Sequence, residues 1–562
     1  MRAETFTDMI GVNTHLSWQG PGLTYDAANQ TNIRNALQYL GVEYVRDGVP
    51  YAGWTLPFYQ TLANDGIKFN LLPSNTDYEN HGDSFNKSLR DIEGLAKTHP
   101  NSVSIEGLNE INTWPVTYQG QSTATNLSVA RDVQAQLVRE SDAIAATANL
   151  PIVNLSVGGI SPQQASSALG NMSDRADAGN WHSYFSGGQQ PGANIASGIA
   201  AAKAITPSDP VQITETGYYT AVNDDAFGQG SGVSPEVQAK LSLNLVMEAA
   251  KGGAQRVFFY ELMDNNGAGT PGRDSEASFG LFNANGTAKP VAHAIHNLNV
   301  ILGDNGANNT TFAERPFDYT LTGMPSTGDS MVIQESNGQA NIVVWAEPDI
   351  WNESARSAIA APNSPVTVKL AQAAQSIKVY DPLTGTTPIA TANNTDTITI
   401  NVSDHPLIVE ASGAATATIA KPTVNNDTIT GDATNNVLVG LAGNDVINGG
   451  AGNDWINGGP GTDTLTGGAG ADRFVVGAVE HGVDTITDFN SVDGDRLELR
   501  SLLGGFGSNY TALQSSGHVK LTSVSDGMRL DVDETGGADS WSPLVLFKGA
   551  TASNLQSDFL IA

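Results

Sequence analysis

Two glutamates and a ladder of aspartates carry the chemistry of this 562-residue sequence. Glu110 closes the stretch SIEGLNE and Glu215 sits in VQITETGYY, each just after a short apolar run. Two carboxyl groups can divide labour when their surroundings push their pKa values apart, so that one starts protonated and the other ionised. Arg46, at the end of an earlier run, is suited to hold one of them ionised through a hydrogen bond. Asn109, His182, Tyr184 and His15 fall at or near the ends of comparable runs and add donors to the same set. Two further carboxylates compete with the pair. Glu106 lies four residues before Glu110, on the same face of an extended segment, and reads as structural. Glu261 closes a run in FFYELMD.

The aspartate ladder lies near the other end. From residue 424 to 476 the sequence repeats with a period of nine: GLAGNDVIN from Gly440, GGAGNDWIN from Gly449, GGPGTDTLT from Gly458 and GGAGADRFV from Gly467. The aspartates fall in phase at Asp445, Asp454, Asp463 and Asp472, with Asp427 and Asn436 in phase in two degenerate units before them. Glycines permit positive φ and leave bare carbonyls that can approach a cation, here Gly443, Gly450, Gly452, Gly459, Gly461, Gly468 and Gly470. Aspartate adds the hard carboxylate oxygen that Ca²⁺ requires. The apolar residues Ile447, Ile456, Leu465 and Phe474 follow each aspartate by two positions and are expected to fill a parallel β-roll. Stacked aspartates without a cation repel one another, so folding of this region should be coupled to calcium, in a structural role.

Composition narrows the classes. The chain carries 27 basic against 58 acidic residues, a net charge of −31, which disfavours nucleic acid and anionic membrane surfaces. Residues 421–562 alone hold 18 acidic against 7 basic residues. There is no cysteine, hence no disulfide framework, thiolate metal site or thiol nucleophile. No apolar run approaches the ~18–20 residues of a membrane span. The first residues, MRAETFTDMIGV, lack the apolar core of a signal peptide.

The elements that must position the glutamates follow from periodicity. Eight short apolar runs alternate with helix-like segments up to about residue 302: Met9–His15, Val42–Arg46, Ile67–Leu72, Val103–Leu108, Ile152–Val157, Trp181–Phe185, Val211–Thr214 and Arg256–Leu262. Asn32–Leu40, Ser84–Lys97, Ala130–Ala146, Asn194–Ile205 and Pro235–Lys251 are predicted helices, the last with Ser234 as N-cap and proline at its first position. Eight strand–helix units predict a (β/α)₈ barrel, in which chemistry gathers at the C-terminal strand ends. Residues 303–412 read as an antiparallel β-sandwich of short β-branched strands, 413–423 as a linker, and 424–562 as the repeat region with its C-terminal continuation.

Asn109-Glu110 on the fourth predicted strand and Glu215 on the seventh together resemble the signature of glycoside hydrolase clan A, families 5 and 39 being nearest. The resemblance covers residues 6–302. It implies that Glu110 is the acid/base and Glu215 the nucleophile of a retaining hydrolase, with carboxyls about 5–5.5 Å apart. It implies that Asn109 bonds the sugar 2-hydroxyl and that His182 and Tyr184 line the cleft. Tyr260 and Glu261 stand where clan members often carry a tryptophan, a departure that bears on substrate preference. The nonapeptides resemble RTX (hemolysin-type) repeats, and the segment VDTITDFNSVDGDRLELRSL with the closing SDFLIA resembles the C-terminal region of RTX exoproteins. That likeness implies bacterial type I export and an extracellular location.

Trp18, Trp54, Trp114 and Trp181, with Tyr51, Tyr118, Tyr218, Tyr219 and Tyr260, fall at or near predicted strand ends, where aromatic faces can stack on sugar rings. Trp345 and Trp351 offer contacts should the sandwich bind carbohydrate. The expectation is a secreted, calcium-dependent, retaining β-glycoside hydrolase that cleaves a β-linked polysaccharide in endo fashion, with no catalytic cofactor. A polysaccharide-binding adhesin and a transglycosylase using the same residues are the alternatives. No HExxH motif accompanies the repeats, which argues against a protease.

Overall fold

The structure is a computed structural model. It describes residues 1–17, 22–50, 53–185, 187–224, 232–304, 306, 308–314, 317–412, 424–431, 436–477, 482–503, 510–533, 535–536, 540–551, 555 and 560–561. The chain forms two compact units, Met1–Ser412 and Gly413–Ala562.

All eight apolar runs of the first unit are parallel strands: β1 Ile10–Asn13, β2 Tyr44–Gly48, β3 Lys68–Leu72, β4 Val103–Glu106, β5 Ile152–Val153, β6 Gly179–Tyr184, β7 Val211–Gly217 and β8 Ala254–Phe259. They pair in the order β5-β4-β3-β2-β1-β8-β7-β6. A single bridge between Val153 and Ala178 joins the two ends of that row, which makes a nearly closed barrel. A helix follows each strand: α1 Gln30–Leu40, α2 Thr55–Asn64, α3 Asn86–Ala96, α4 Ala130–Asp142, α5 Pro162–Leu169, α6 Gly192–Ile205, α7 Pro235–Lys251 and α8 Pro290–Leu302. Their apolar stripes face the strands, as Ile33, Ala36, Leu37 and Leu40 do in α1. Ser234 caps α7, its hydroxyl accepting the Val237 amide, and Pro235 takes the first helical position, where no amide is needed.

Residues beyond α8 form one curled antiparallel sheet rather than two facing sheets. Its strands are β9 Tyr319–Thr322, β10 Gly328–Gln334, β11 Ala340–Ala346, β12 Ser364–Tyr380, β13 Ala390–Val402 and β14 Leu407–Ser412. The stretches Val366–Leu370 and Ser376–Tyr380, expected as separate strands, are the two halves of β12, whose pairing with β13 shifts register between Lys369 and Ala374. β9 pairs with the first half of β12 and β14 with the second, so one bent strand serves both flanks of the sheet. Its enclosed face buries Ile342, Val344, Val366, Val368, Ile377 and Val409.

The other face of β11 packs on the barrel. Trp345 is fully buried and its indole N–H donates to Glu248 Oε1 on α7 at 2.8 Å. Asn244 of α7 donates to the Ala346 carbonyl at 3.2 Å. Trp351 is buried too, against Gly188, where an added Cβ would fall 2.0 Å from its own Cβ. Both tryptophans are therefore packing residues, and the expectation that they contact carbohydrate is corrected. Their partners are apolar or barrel-borne, which sequence alone does not reveal.

In the second unit successive nonapeptides alternate between two parallel sheets. β15 Thr428–Thr430, β17 Val446–Ala451, β19 Thr464–Ala469 and β21 Asp484–Ile486 lie side by side in one. β16 Val437–Val439, β18 Trp455–Asn457, β20 Arg473–Val475 and β22 Arg496–Glu498 lie in the other. Partners within the nonapeptides are thus 18 residues apart, Ile447 beside Leu465 and Ile456 beside Phe474, and the spacing grows to 21 and 23 where β21 and β22 join. Ile429, Leu438, Ile447, Ile456, Leu465 and Phe474 are buried together in one core. β23 Val519–Val524, β24 Gly527–Val532 and β25 Ser542–Lys548 extend the first sheet and β26 Leu560–Ile561 the second. The linker expected at 413–423 lies outside the described residues. No helix among the described residues is long and apolar enough to cross a membrane.

Candidate active site and calcium repeats

Polar side chains form a connected layer inside the barrel where apolar filling is usual. Glu106, at the end of β4, is wholly buried. Arg46 of β2 grips it with two bonds, Nε to Oε2 at 2.7 Å and Nη2 to Oε1 at 2.8 Å. Asn70 donates to Glu106 Oε2 at 2.7 Å and Asn180 to Oε1 at 3.0 Å. Thr214 donates to Asn180 Oδ1 at 2.6 Å. A buried carboxylate is tolerated only when paired and fully hydrogen-bonded, and Glu106 meets both conditions.

Arg46 then reaches upward. Its Nη1 donates to Glu215 Oε1 at 2.7 Å and to Asn13 Oδ1 at 3.0 Å, and Nη2 to Asn109 Oδ1 at 2.8 Å. Tyr184 donates to Glu215 Oε2 at 2.9 Å. Burial alone would raise the Glu215 carboxyl, but His182 and Arg46, with the bonds from Arg46 and Tyr184, outweigh it and hold the group below its ordinary value. Arg46 itself is held firmly charged by Glu106 and Glu215, against the burial that opposes it.

A bulge makes this possible. Trp181 pairs with Ile213 but His182 pairs with Glu215, so β7 carries one extra residue at Thr214. Strand residues normally alternate faces, whereas here the adjacent Thr214 and Glu215 both project into the barrel, one to Asn180 and one to Arg46.

Glu110 sits on the turn after β4, at φ 38°, in the left-handed region that glycine favours. Its amide donates to Ser156 Oγ at 2.9 Å and its carbonyl accepts the Thr113 and Trp114 amides, which fixes the turn. His182 Nδ1 lies 3.2 Å from Glu110 Oε1 and 3.4 Å from Glu215 Oε2. Oxygen atoms of the two glutamates and this nitrogen all lie within 4.8 Å of one another. Room for the Glu110 carboxyl comes from Gly158, where a Cβ would lie 2.6 Å from its carboxyl carbon. Gly158→Ala should push that carboxyl aside, and were Glu110 to act on a bound substrate, kcat/KM should fall by about 100-fold, the cost of misplacing a reacting group by an ångström. The thermal midpoint should stay within about 2 °C, because a long side chain and not backbone must yield; an unchanged rate in a steady-state assay would contradict this placement of Glu110.

The remaining candidates divide. Tyr260 stands near the site, its ring 6.4 Å from Tyr184 and 5.4 Å from His15. Trp114, on the Glu110 turn, is 63% exposed and offers an open aromatic face. Trp54 precedes α2 and leans on Phe58 at 6.2 Å, half-buried. Trp18 and Tyr51 lie outside the described residues. Three expectations are corrected. Trp181 points out of the barrel, towards α6, because His182 and Tyr184 on alternate positions point in; a Cβ on Gly198 would lie 2.8 Å from its ring. Tyr218 is buried, stacked on Phe185 at 4.7 Å and bonded to the Gln189 carbonyl, so it packs and does not line a cleft. Glu261 has no exposed surface and lies 3.1 Å from His15 Nε2, so it can reach a ligand only through His15. Burial pushes its carboxyl up to about 7 despite the imidazole.

One group was not anticipated. Glu276, in the loop after β8, accepts the Tyr260 hydroxyl at 3.4 Å, and burial followed by the charge of Glu215 raises its carboxyl above the ordinary value. It sits in an irregular loop, where periodicity carries no signal. Asn13 and Asn70, inside apolar runs, and Asn180, immediately before one, were legible in principle.

In the second unit the aspartates are buried side by side. The Oδ1 of each accepts the amide N–H 18 residues earlier, Asp445 from Asp427 at 2.7 Å, Asp463 from Asp445 at 2.8 Å and Asp472 from Asp454 at 2.8 Å. Oδ2 of Asp445 and Asp472 is buried and accepts no hydrogen bond among the described residues. Burial, with neighbouring carboxylates, pushes Asp472 up to about 6 and Asp484 up to about 7. The glycines at 443, 450, 452, 459, 461, 468 and 470 all take positive φ. Carbonyls pack where a side chain would be: a Cβ on Gly461 would lie 1.7 Å from the Gly443 oxygen. Orphaned carboxylate oxygens beside close-set carbonyls are a donor set that fits a hard divalent cation such as Ca²⁺.

Comparison with known proteins adds the following. The solved structures similar to this chain include a Rhizomucor miehei β-1,3-glucanosyltransferase, with 13% identity, 51% of this chain and 97% of that one covered, and a TM-score of 0.38. A Bacteroides uniformis β-glucuronidase 2 shows 14% identity over 75% of this chain and 47% of that one, with a TM-score of 0.37. The AlgE6R3 subunit of the Azotobacter vinelandii mannuronan C5-epimerase shows 28% identity over 26% of this chain and 83% of that one, with a TM-score of 0.21. This chain therefore spans about half the length of the Bacteroides enzyme. No curated protein matches it. Residues 423–456 and 448–478 match the RTX calcium-binding nonapeptide repeat, and the second unit thus carries calcium-binding repeats of the RTX type.

Proposed function

We propose that the chain is an extracellular, calcium-dependent, retaining β-glycoside hydrolase of the clan A type. The observation that carries this is the pair Glu110 and Glu215, from the turn after β4 and from β7, with carboxylate oxygens within 4.8 Å of each other. That proximity is in keeping with a double displacement, in which the two carboxyl groups stand about 5–5.5 Å apart. Glu215, held ionised by Arg46 and Tyr184, is the nucleophile. It attacks the anomeric carbon, and Glu110 protonates the leaving oxygen. A water, deprotonated by Glu110, then releases the sugar from the glycosyl ester. Asn109, anchored by Arg46, presents its amide to the sugar 2-hydroxyl, a bond that strengthens in the transition state. Trp114 offers a stacking platform on the rim, in keeping with an endo-acting cleft on a polymer.

The RTX repeats support an extracellular role, and type I export accounts best for them. Low calcium inside the cell leaves the repeat unit unfolded, and high calcium outside folds it. The barrel over 1–302 is then the catalytic domain and the sheet over 303–412 its structural support.

The test uses full-length protein in calcium with a panel of β-glucans, mannans, xylans and bacterial exopolysaccharides. Release of reducing ends, with the β anomer formed first by NMR, is the expected outcome. An α anomer first would exclude the double displacement. Lengthened oligosaccharides would identify a transglycosylase, and retention on a polymer without release an adhesin.

A further inference from the structure

The imidazole of His182 occupies an unusual place for a residue expected to touch sugar. Its Nδ1 lies between the two carboxylates, 3.2 Å from Glu110 Oε1 and 3.4 Å from Glu215 Oε2. Its Nε2 is buried and meets no hydrogen-bond partner among the described residues. A proton on that nitrogen would be left unsatisfied, so the single proton of a neutral ring belongs on Nδ1. Glu215 already accepts from Arg46 and Tyr184, whereas no hydrogen bond to the Glu110 carboxylate other than that of His182 is seen among the described residues. The nucleophile therefore has support to spare, and the acid/base has one donor.

We propose that His182 is a positioning residue that serves the two carboxylates in turn, lending one Nδ1 proton to whichever of them is the anion. The proposal rests on the glycosidase reading. Before bond cleavage Glu215 is ionised and Glu110 protonated, and the Nδ1–H points to Glu215. In the first step the Glu215 oxygen bonds to the anomeric carbon, the bond to the leaving oxygen breaks, and the Glu110 proton moves to that oxygen. Glu215 is now a neutral ester and Glu110 an anion, so the Nδ1–H turns to Glu110. In the second step water bonds to the anomeric carbon, its proton goes to Glu110, and the ester bond breaks. The Nδ1–H then returns to Glu215. The imidazole keeps its proton throughout, and only the hydrogen bond changes partner. Both acceptors lie within reach of a nearly stationary ring, so the exchange needs no rearrangement of β6.

The charged and titratable groups around the pair are Arg46 and Glu106 below it, Tyr184 on β6, and Tyr260, Glu276 and His15 across the pocket. None of these bonds the Glu110 carboxylate in the structure. The role thus falls to His182.

Two measurements test the proposal. Histidine ¹⁵N spectra of the full chain in calcium, assigned with His182→Asn, read which ring nitrogen bears the proton. A protonated Nδ1 and bare Nε2 are expected, and a protonated Nε2 overturns the proposal. Kinetics on 2,4-dinitrophenyl β-glucoside, galactoside, mannoside and xyloside compare His182→Asn, whose amide places an N–H near the Nδ1 position, with His182→Phe, which fills the space without a donor. His182→Phe should lose about 10- to 100-fold in kcat, with burst kinetics showing both steps slowed. His182→Asn should stay within about fivefold of wild type. Equal damage from both variants would make His182 a packing residue and end the proposal. If wild type turns over no glycoside, the glycosidase reading and the exchange between carboxylates fall together, while the ¹⁵N result still decides whether the ring is a single-proton donor on Nδ1.

Discussion

On the glycosidase reading, Glu215→Gln should abolish turnover, by about 10³-fold or more in kcat, while the protein should still fold in calcium. The magnitude follows from removing a group that acts only as bonds change, for which positioned acid, base and nucleophile contributions of about 10²–10⁴ are usual. The retained fold follows from charge balance. Arg46 stays neutralised by its two bonds to Glu106, and a glutamine at 215 can still accept from Arg46 or Tyr184. Glu110→Gln behaves differently. With a 2,4-dinitrophenyl leaving group, which needs no proton, its first step survives and the second slows, so a burst appears. Added azide should rescue that variant and yield the β-glycosyl azide, because the anion enters on the face Glu110 vacates. Retained turnover in Glu215→Gln, or a burst in the wrong variant, would remove or reverse the assignment.

Chelation of calcium should unfold the second unit and spare the first. The structural cause is a ladder of buried aspartates 18 residues apart, whose carboxylates press on one another. A cation that binds only the folded form adds about 2.7 kcal/mol at a hundredfold excess over its dissociation constant, for each site. The cooperative stack has several such sites to lose. Circular dichroism should lose its β signal from this unit, and Trp455, buried in β18, should shift to the red. The barrel and its sheet have their own apolar cores and should keep their signal. An unaltered spectrum in excess chelator would overturn the calcium-coupled roll.

The strands of the barrel were legible because parallel strands covered on both faces read as short continuous apolar runs. The nonapeptides were legible because their period is covalent. What sequence could not supply was direction. Trp181 and His182 are neighbours, and only the inward position of His182 says that the indole faces α6. Tyr218 follows a bulge whose extra residue is invisible to a two-residue period. Trp345 fits a strand equally well with either face outward, and the helix it packs on is about a hundred residues away. Arg46 was recognised as a support for one carboxylate, but its grip on Asn13, Glu106 and Asn109 depends on β1, β4 and the turn after β4. Glu276 belongs to an irregular loop and was reached only through Tyr260.

The alternation of nonapeptides between two sheets has an arithmetic consequence. Each unit rests on the one 18 residues away, and β25 and β26 close on β21 and β22, one on each sheet. Dropping a single nonapeptide would hand every later strand to the opposite sheet and leave both closing strands facing the wrong neighbours. Two units removed or added together leave that handedness of assignment untouched. The length of this region is therefore free to drift only in even steps, and the parity of the repeat count, more than the count itself, is what its C-terminal strands hold fixed.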